Sequence, residues 1–139
     1  MAVVVPVGAN VGVKTVNATL SSGTGGETIS TGQVIYQKSS DSEFYKAVAT
    51  SGTAEATVKG IAIQPSTDGK GIVYIGQQGA VVDVGATLTE DTWYTLSSTA
   101  GSMEPVADSS SGDYRSWLGY GNPDGNLVLY IINTGLQKS

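Results

Sequence analysis

Paired carboxylates are the acid–base chemistry this sequence most readily offers. His and Cys are both absent. Their absence removes the usual general base, the thiol nucleophile and most zinc or iron ligand sets together. Two close carboxylate pairs remain, Glu104 with Asp108 and Glu90 with Asp91, which could act as acid and nucleophile if burial kept one of each pair protonated. Both pairs lie among Gly, Ser and Thr and read as solvated turn carboxylates. The stretch from Asp108 to Asp113, DSSSGD, offers oxygen ligands and a glycine. It lacks the alternating acids and closing Glu of an EF-hand loop. The GTGG run at 23–26 has neither the following helix nor the lysine that a phosphate-cradling loop uses. Asn122-Pro-Asp-Gly125 has Pro and Asp where a tight turn wants them, with no ligand required. The expectation is a chain that is not an enzyme and holds no cofactor or metal.

Charge and composition narrow the partners. Twelve acidic against seven basic side chains give a net charge of −5 with no Lys/Arg cluster, so the phosphate-neutralising stripe of a nucleic-acid binder is missing. Residues 2–7, AVVVPV, are apolar but too short to cross a membrane and have no basic region ahead of them. Nucleic acid and membrane are therefore not expected as partners. The 139 residues suit one domain. Nineteen glycines with abundant Val, Ser and Thr describe short strands joined by tight turns.

The elements follow from that punctuation. Residues 1–31 read as an N-terminal arm, apolar at first and then a flexible Gly/Ser/Thr hinge; residues 32–139 form the body. Strand-like runs recur at hairpin spacing: 33–37, 43–50, 57–63, 71–76, 80–85, 92–97, 103–108, 115–121 and 126–133. The two halves of the body look alike. Tyr36 aligns with Tyr94, Gly60 with Gly119, Gly69 with Gly125 and Gly79 with Gly135, which reads as one four-strand unit made twice. Two such units closing on each other predict an all-β small barrel or a two-sheet sandwich.

Binding is expected at two places. The arm carries Val3, Val4, Val5, Pro6, Val7, Val11 and Val13, which have no evident partner within a compact domain and could add a strand to a neighbouring sheet. The alternative is that VVVPV is the first strand of its own body. Aromatic residues concentrate in the second half, and strand alternation puts Trp93 and Tyr94 on opposite faces, so not all of them can be core. Trp93, Tyr94, Trp117 and Tyr120 are assigned to a subunit interface, where Trp and Tyr are enriched; a stacking platform for sugar is the competing use. Asn17-Ala-Thr19 matches a glycosylation sequon and carries no further argument.

The order GQVIYQ, KAV, VKGIAI, IVYIGQQGAVVDVGATLT, WYTLSSTAGSMEP, LGYG and LVLYIINTG, over about residues 30–135, resembles the capsid cement, or head decoration, proteins of tailed bacteriophages. The resemblance implies a β-barrel or tulip-like body and a homo-oligomer, a trimer in preference to a dimer. It also implies a place in the virion on the outer surface of the capsid, bridging neighbouring major capsid proteins, with no catalytic residue to carry over. A carbohydrate- or receptor-binding domain of a head fibre or tail protein is the alternative.

Overall fold

The computed structural model describes residue 4 and residues 11–15, 18–50 and 52–138. Eleven strands and one short 3-10 turn at Val106–Asp108 make up the regular structure among them. The strands are β1 (Val11–Val13), β2 (Ser21–Thr24), β3 (Val34–Gln37), β4 (Phe44–Lys46), β5 (Gly60–Ala62) and β6 (Gly71–Ile75). They continue as β7 (Val81–Val84), β8 (Trp93–Leu96), β9 (Met103–Pro105), β10 (Tyr114–Gly121) and β11 (Leu127–Gln137). Glycine turns lead into β6, β7 and β11: Gly69, Gly79 and Gly125, at φ near +80°, take a conformation that glycine adopts without a steric penalty.

The strands form two antiparallel sheets. One has the order β1-β7-β11-β10-β8-β9 and the other β2-β6-β5-β3-β4. Leaving β1 aside, each sheet follows one rule: its first strand pairs with its fifth, followed by the fourth, the second and the third. The expected closed barrel is not what forms. Each sheet keeps its edges, and the five-stranded sheet curls only far enough for Gly25, just after β2, to meet Phe44 of β4 in a single parallel bridge.

Strand alternation builds two cores. Val34, Tyr36, Ile61 and Ile75 of the five-stranded sheet meet Val82, Tyr94, Leu96, Leu118, Leu127 and Leu129 of the six-stranded one in the main core. Ile35, Phe44, Ala62 and Ile72 point the other way and pack beneath Ile29. The five-stranded sheet is thus buried on both faces, which accounts for the unbroken apolar runs in VIYQ and GIAI.

Residues 21–32, whose composition suggested a hinge, are packed rather than loose. Gly23 lies against the Phe44 ring, Gly25 against Ser66 and Gly26 against the Tyr45 ring, each closer than a Cβ would allow. The glycines admit the chain to the outer face of the sheet instead of freeing it. Within the 1–31 segment, β1 and β2 supply one edge strand to each sheet, pairing Val11 with Val84 and Ser21 with Tyr74.

Beyond Leu129, β11 outruns its neighbour β7, and side-chain amides take over the pairing. Gln78 bonds both the N–H and the C=O of Ile131 at 2.8 Å. Asn133 bonds the N–H and C=O of Val58 at 2.8 and 3.1 Å, tying β11 to the connection that leads into β5. Asn133→Ala removes both bonds and should lower stability by about 1 kcal/mol, read as a shift of the urea midpoint at unchanged slope.

Candidate interaction surface

The outer face of the six-stranded sheet carries a continuous aromatic patch built from three adjacent strands. Trp93 of β8 lies opposite Tyr120 of β10, and Trp117 of β10 lies opposite Ile132 of β11. Trp93 meets Trp117 edge-on at 5.8 Å between ring centroids and meets Tyr120 and Tyr130 at 5.3 and 6.4 Å. Tyr120 and Tyr130 stack at 6.2 Å with planes only 19° apart. Trp93 is 36% exposed, Tyr130 44% and Ile132 49%. The Arg115 guanidinium stands 5.4 Å from the Trp117 ring centre, at cation–π distance.

One backbone irregularity makes the patch possible. Trp117 and Tyr120 are three residues apart, and regular alternation would put them on opposite faces. The β10–β11 register shifts between Trp117 and Gly119, so Leu118 enters the core while its two aromatic neighbours both face outward. Gly119 at φ +148° carries that shift, with the Val128 carbonyl directly where a Cβ would stand. Such an extra residue in one strand is a β-bulge.

Of the four residues assigned from sequence to a subunit interface, Trp93, Trp117 and Tyr120 come together on this face. Tyr94 does not. It is 3% exposed in the main core, and its hydroxyl accepts the Thr89 N–H at 2.9 Å. Alternation itself turns it inward. Tyr130, Ile132 and Arg115 also belong to the patch, beyond the sequence expectation. The signal for the first two was available, because Leu127 and Leu129 point inward and their alternates on LVLYII must point outward.

Of the arm residues, Val4 is half-buried against the main core and its N–H donates to the Met103 carbonyl at 2.9 Å. Val11 and Val13 lie in β1, with Val13 packed on the same core. Val3, Val5, Pro6 and Val7 lie outside the described residues, as does Asn17 of the sequon.

The carboxylate pairs separate by environment. Glu90 and Asp91 are exposed in a turn. Glu104 is fully buried, contrary to the solvated turn group expected from its neighbours. Neither of its oxygens has a hydrogen-bond partner, and nor does the hydroxyl of Thr95 directly across the ladder. Burial raises its pKa first, and repulsion from Asp113 adds to the rise; the Ser97 hydroxyl pulls the other way without reaching normal bonding geometry. Among the described residues no group of three or more acidic side chains is placed to hold a metal ion.

A shallow hollow of about 260 Å³ lies between Trp93, Trp117 and Ile132. It falls below the roughly 300–1,000 Å³ typical of small-molecule pockets, so the patch is better suited to a broad partner. Compared with family models, with curated proteins and with solved structures, the chain matches none.

Proposed function

We propose that this chain is a structural, non-enzymatic capsid decoration protein that binds the outer surface of a phage head and stabilises contacts between major capsid proteins, working as a homo-oligomer. The observation that carries the reading is the aromatic patch. Both tryptophans, the single arginine and two tyrosines of the chain gather on one outward face, and these are the residue types that dominate binding energy at protein interfaces. An apolar face of this kind on a chain of net charge −5 is suited to a partner that covers it, while the acidic remainder keeps the particle soluble.

The two-unit reading of the body belongs here as well. The shared strand order of the two sheets supports a duplicated element with β7 and β2 in corresponding places. Tyr36 and Tyr94 fall in β3 and β8, and Gly60 and Gly119 in β5 and β10, which hold corresponding places in the two sheets. The glycine pair is out of step by one residue, since Gly60 lies opposite Ile35 while Gly119 lies opposite Tyr94. Several modest contacts repeated by an oligomer on a symmetric lattice add up through effective concentration, so no single deep site is needed.

The test pairs two measurements. Trp93→Ala and Trp117→Ala should each weaken self-association or binding to undecorated heads about 30-fold, the ratio that corresponds to about 2 kcal/mol at an interface hot spot. Sedimentation velocity and a head co-sedimentation assay read the two. Unchanged behaviour of both variants in both assays would overturn the reading. The carbohydrate alternative rests on the outward, nearly parallel rings of Tyr120 and Tyr130, and glycan-array binding lost in the same variants would select it instead.

A further inference from the structure

Glu104 presents a problem that the interaction surface does not solve. It sits on β9, an edge strand, with a carboxyl group shut away from water and unbonded. Burying an unpaired carboxylate is among the more costly things a fold can do, and such a group stays neutral where it can. Its surroundings favour the neutral form. Thr95 across the ladder is equally unpartnered, and Asp113, itself only 4% exposed, and Asp108 both repel a second negative charge, each more strongly than the chain's amino terminus attracts it. The Lys138 ammonium is engaged with the Ser109 carbonyl at 2.5 Å.

The strand carrying Glu104 is also the one that receives Val4. Met103, the preceding residue, accepts the Val4 N–H on the outer edge of β9 while its own side chain fills the main core. Displacement of β9 therefore disturbs the Val4 contact, because both hang on the same short stretch of backbone. Beyond Pro105 the chain runs through the 3-10 turn to Asp113, so the segment bearing the two repelling carboxylates is continuous with the strand.

We propose that Glu104 is a proton-operated latch on edge strand β9: the neutral carboxyl lets the strand lie closed with Val4 docked, and ionisation drives β9 outward and releases Val4. The inference stands apart from the capsid reading and does not need it. No covalent step is involved; the only chemistry is loss of one proton from the Glu104 carboxyl to solvent as the strand opens.

The direction of the pH dependence follows from linkage. An acid whose folded pKa is raised holds a proton that the opened state gives up. The closed state is therefore fully favoured below the ordinary carboxyl range, loses ground as pH rises above it, and stops losing once the closed form has ionised too. Within that window the opening constant rises about tenfold per pH unit for a single proton.

Amide exchange of the full chain between about pH 4 and about pH 8, corrected for the intrinsic pH dependence of exchange, tests this directly. Val4 and the β9 amides should open progressively with rising pH in the wild type, while amides at the centre of the β10–β11 ladder do not follow. Glu104→Gln, neutral at every pH and close in shape, should flatten the response. Carbon-detected titration of the wild-type Glu104 carboxyl gives a reading that does not depend on any variant folding. A carboxyl titrating in the ordinary range, or opening at Val4 and β9 with the same pH dependence in wild type and Glu104→Gln, would overturn the latch.

Discussion

Gly119→Ala is expected to cost about 3 kcal/mol or more, and to disable the aromatic patch in whatever fraction still folds. A residue other than glycine at φ +148° is strained by about 1–3 kcal/mol on backbone grounds alone. The larger difficulty is steric. The new Cβ would lie 2.0 Å from the Val128 carbonyl oxygen, which belongs to the longest ladder in the protein and has no room to withdraw. Relief requires separating β10 from β11 or flattening the bulge, and flattening it would rotate either Trp117 or Tyr120 to the inner face. Urea unfolding reports the stability, and near-ultraviolet circular dichroism reports the tryptophan environment. Gly79→Ala provides the control. That glycine has φ +83°, and nothing stands within 4 Å of where its methyl group would go, so about 1–2 kcal/mol of conformational strain is all that should appear. Equal costs at the two positions would show that the strands give way to the methyl group at little cost.

The second large effect separates two neighbouring residues. Leu129→Ala should cost about 2–5 kcal/mol, because Leu129 is wholly buried where β11 passes between β7 and β10 and its loss leaves a cavity in the main core. Tyr130→Ala, one residue further along, should cost under about 1 kcal/mol: the residue is 44% exposed and its ring meets the surface rings of Trp93 and Tyr120. The contrast inverts in an association assay, where Tyr130→Ala weakens binding and Leu129→Ala acts only through its effect on folding. A denaturation series with the association measurement repeated well below the unfolding midpoint separates the two. Similar stability losses at both positions would contradict the face assignment of β11.

Much of this strand arrangement could be read from the chain, and the reason is local punctuation. The expected runs at 71–76, 80–85 and 92–97 contain β6, β7 and β8 with at most a residue to spare at each end, because turn residues bracket each run closely. β1 and β2 were hidden for the opposite reason. VGV is too short to show alternation and SSGT is too polar to read as a strand; both become strands only because β7 and β6, far along the chain, offer open edges to pair with. The aromatic face was half legible. Alternation correctly divided Trp93 from Tyr94, yet it would have divided Trp117 from Tyr120 as well, and only the bulge at Leu118–Gly119, invisible to a period of two, brings them together. The burial of Glu104 was only partly legible: Gly101, Ser102 and the DSSSGD run on either side suggested solvent, while Met103 and Pro105 beside it, in the strand-like run 103–108, pointed the other way. What seals the carboxyl is tertiary packing.

The way the N-terminal segment is divided between the sheets also sets an order of assembly. The β3–β4, β8–β9 and β10–β11 hairpins close over short loops, so their entropy of closure is small and they can form early. β2 joins β6 only after about fifty intervening residues have been gathered, and β1 reaches β7 across about seventy. β1 and β2 are thus among the last strands to find their places. A nascent or freshly unfolded chain carries two vacant sheet edges until they do, and during that interval a neighbouring copy's β1 or β2 could fill them as readily as its own.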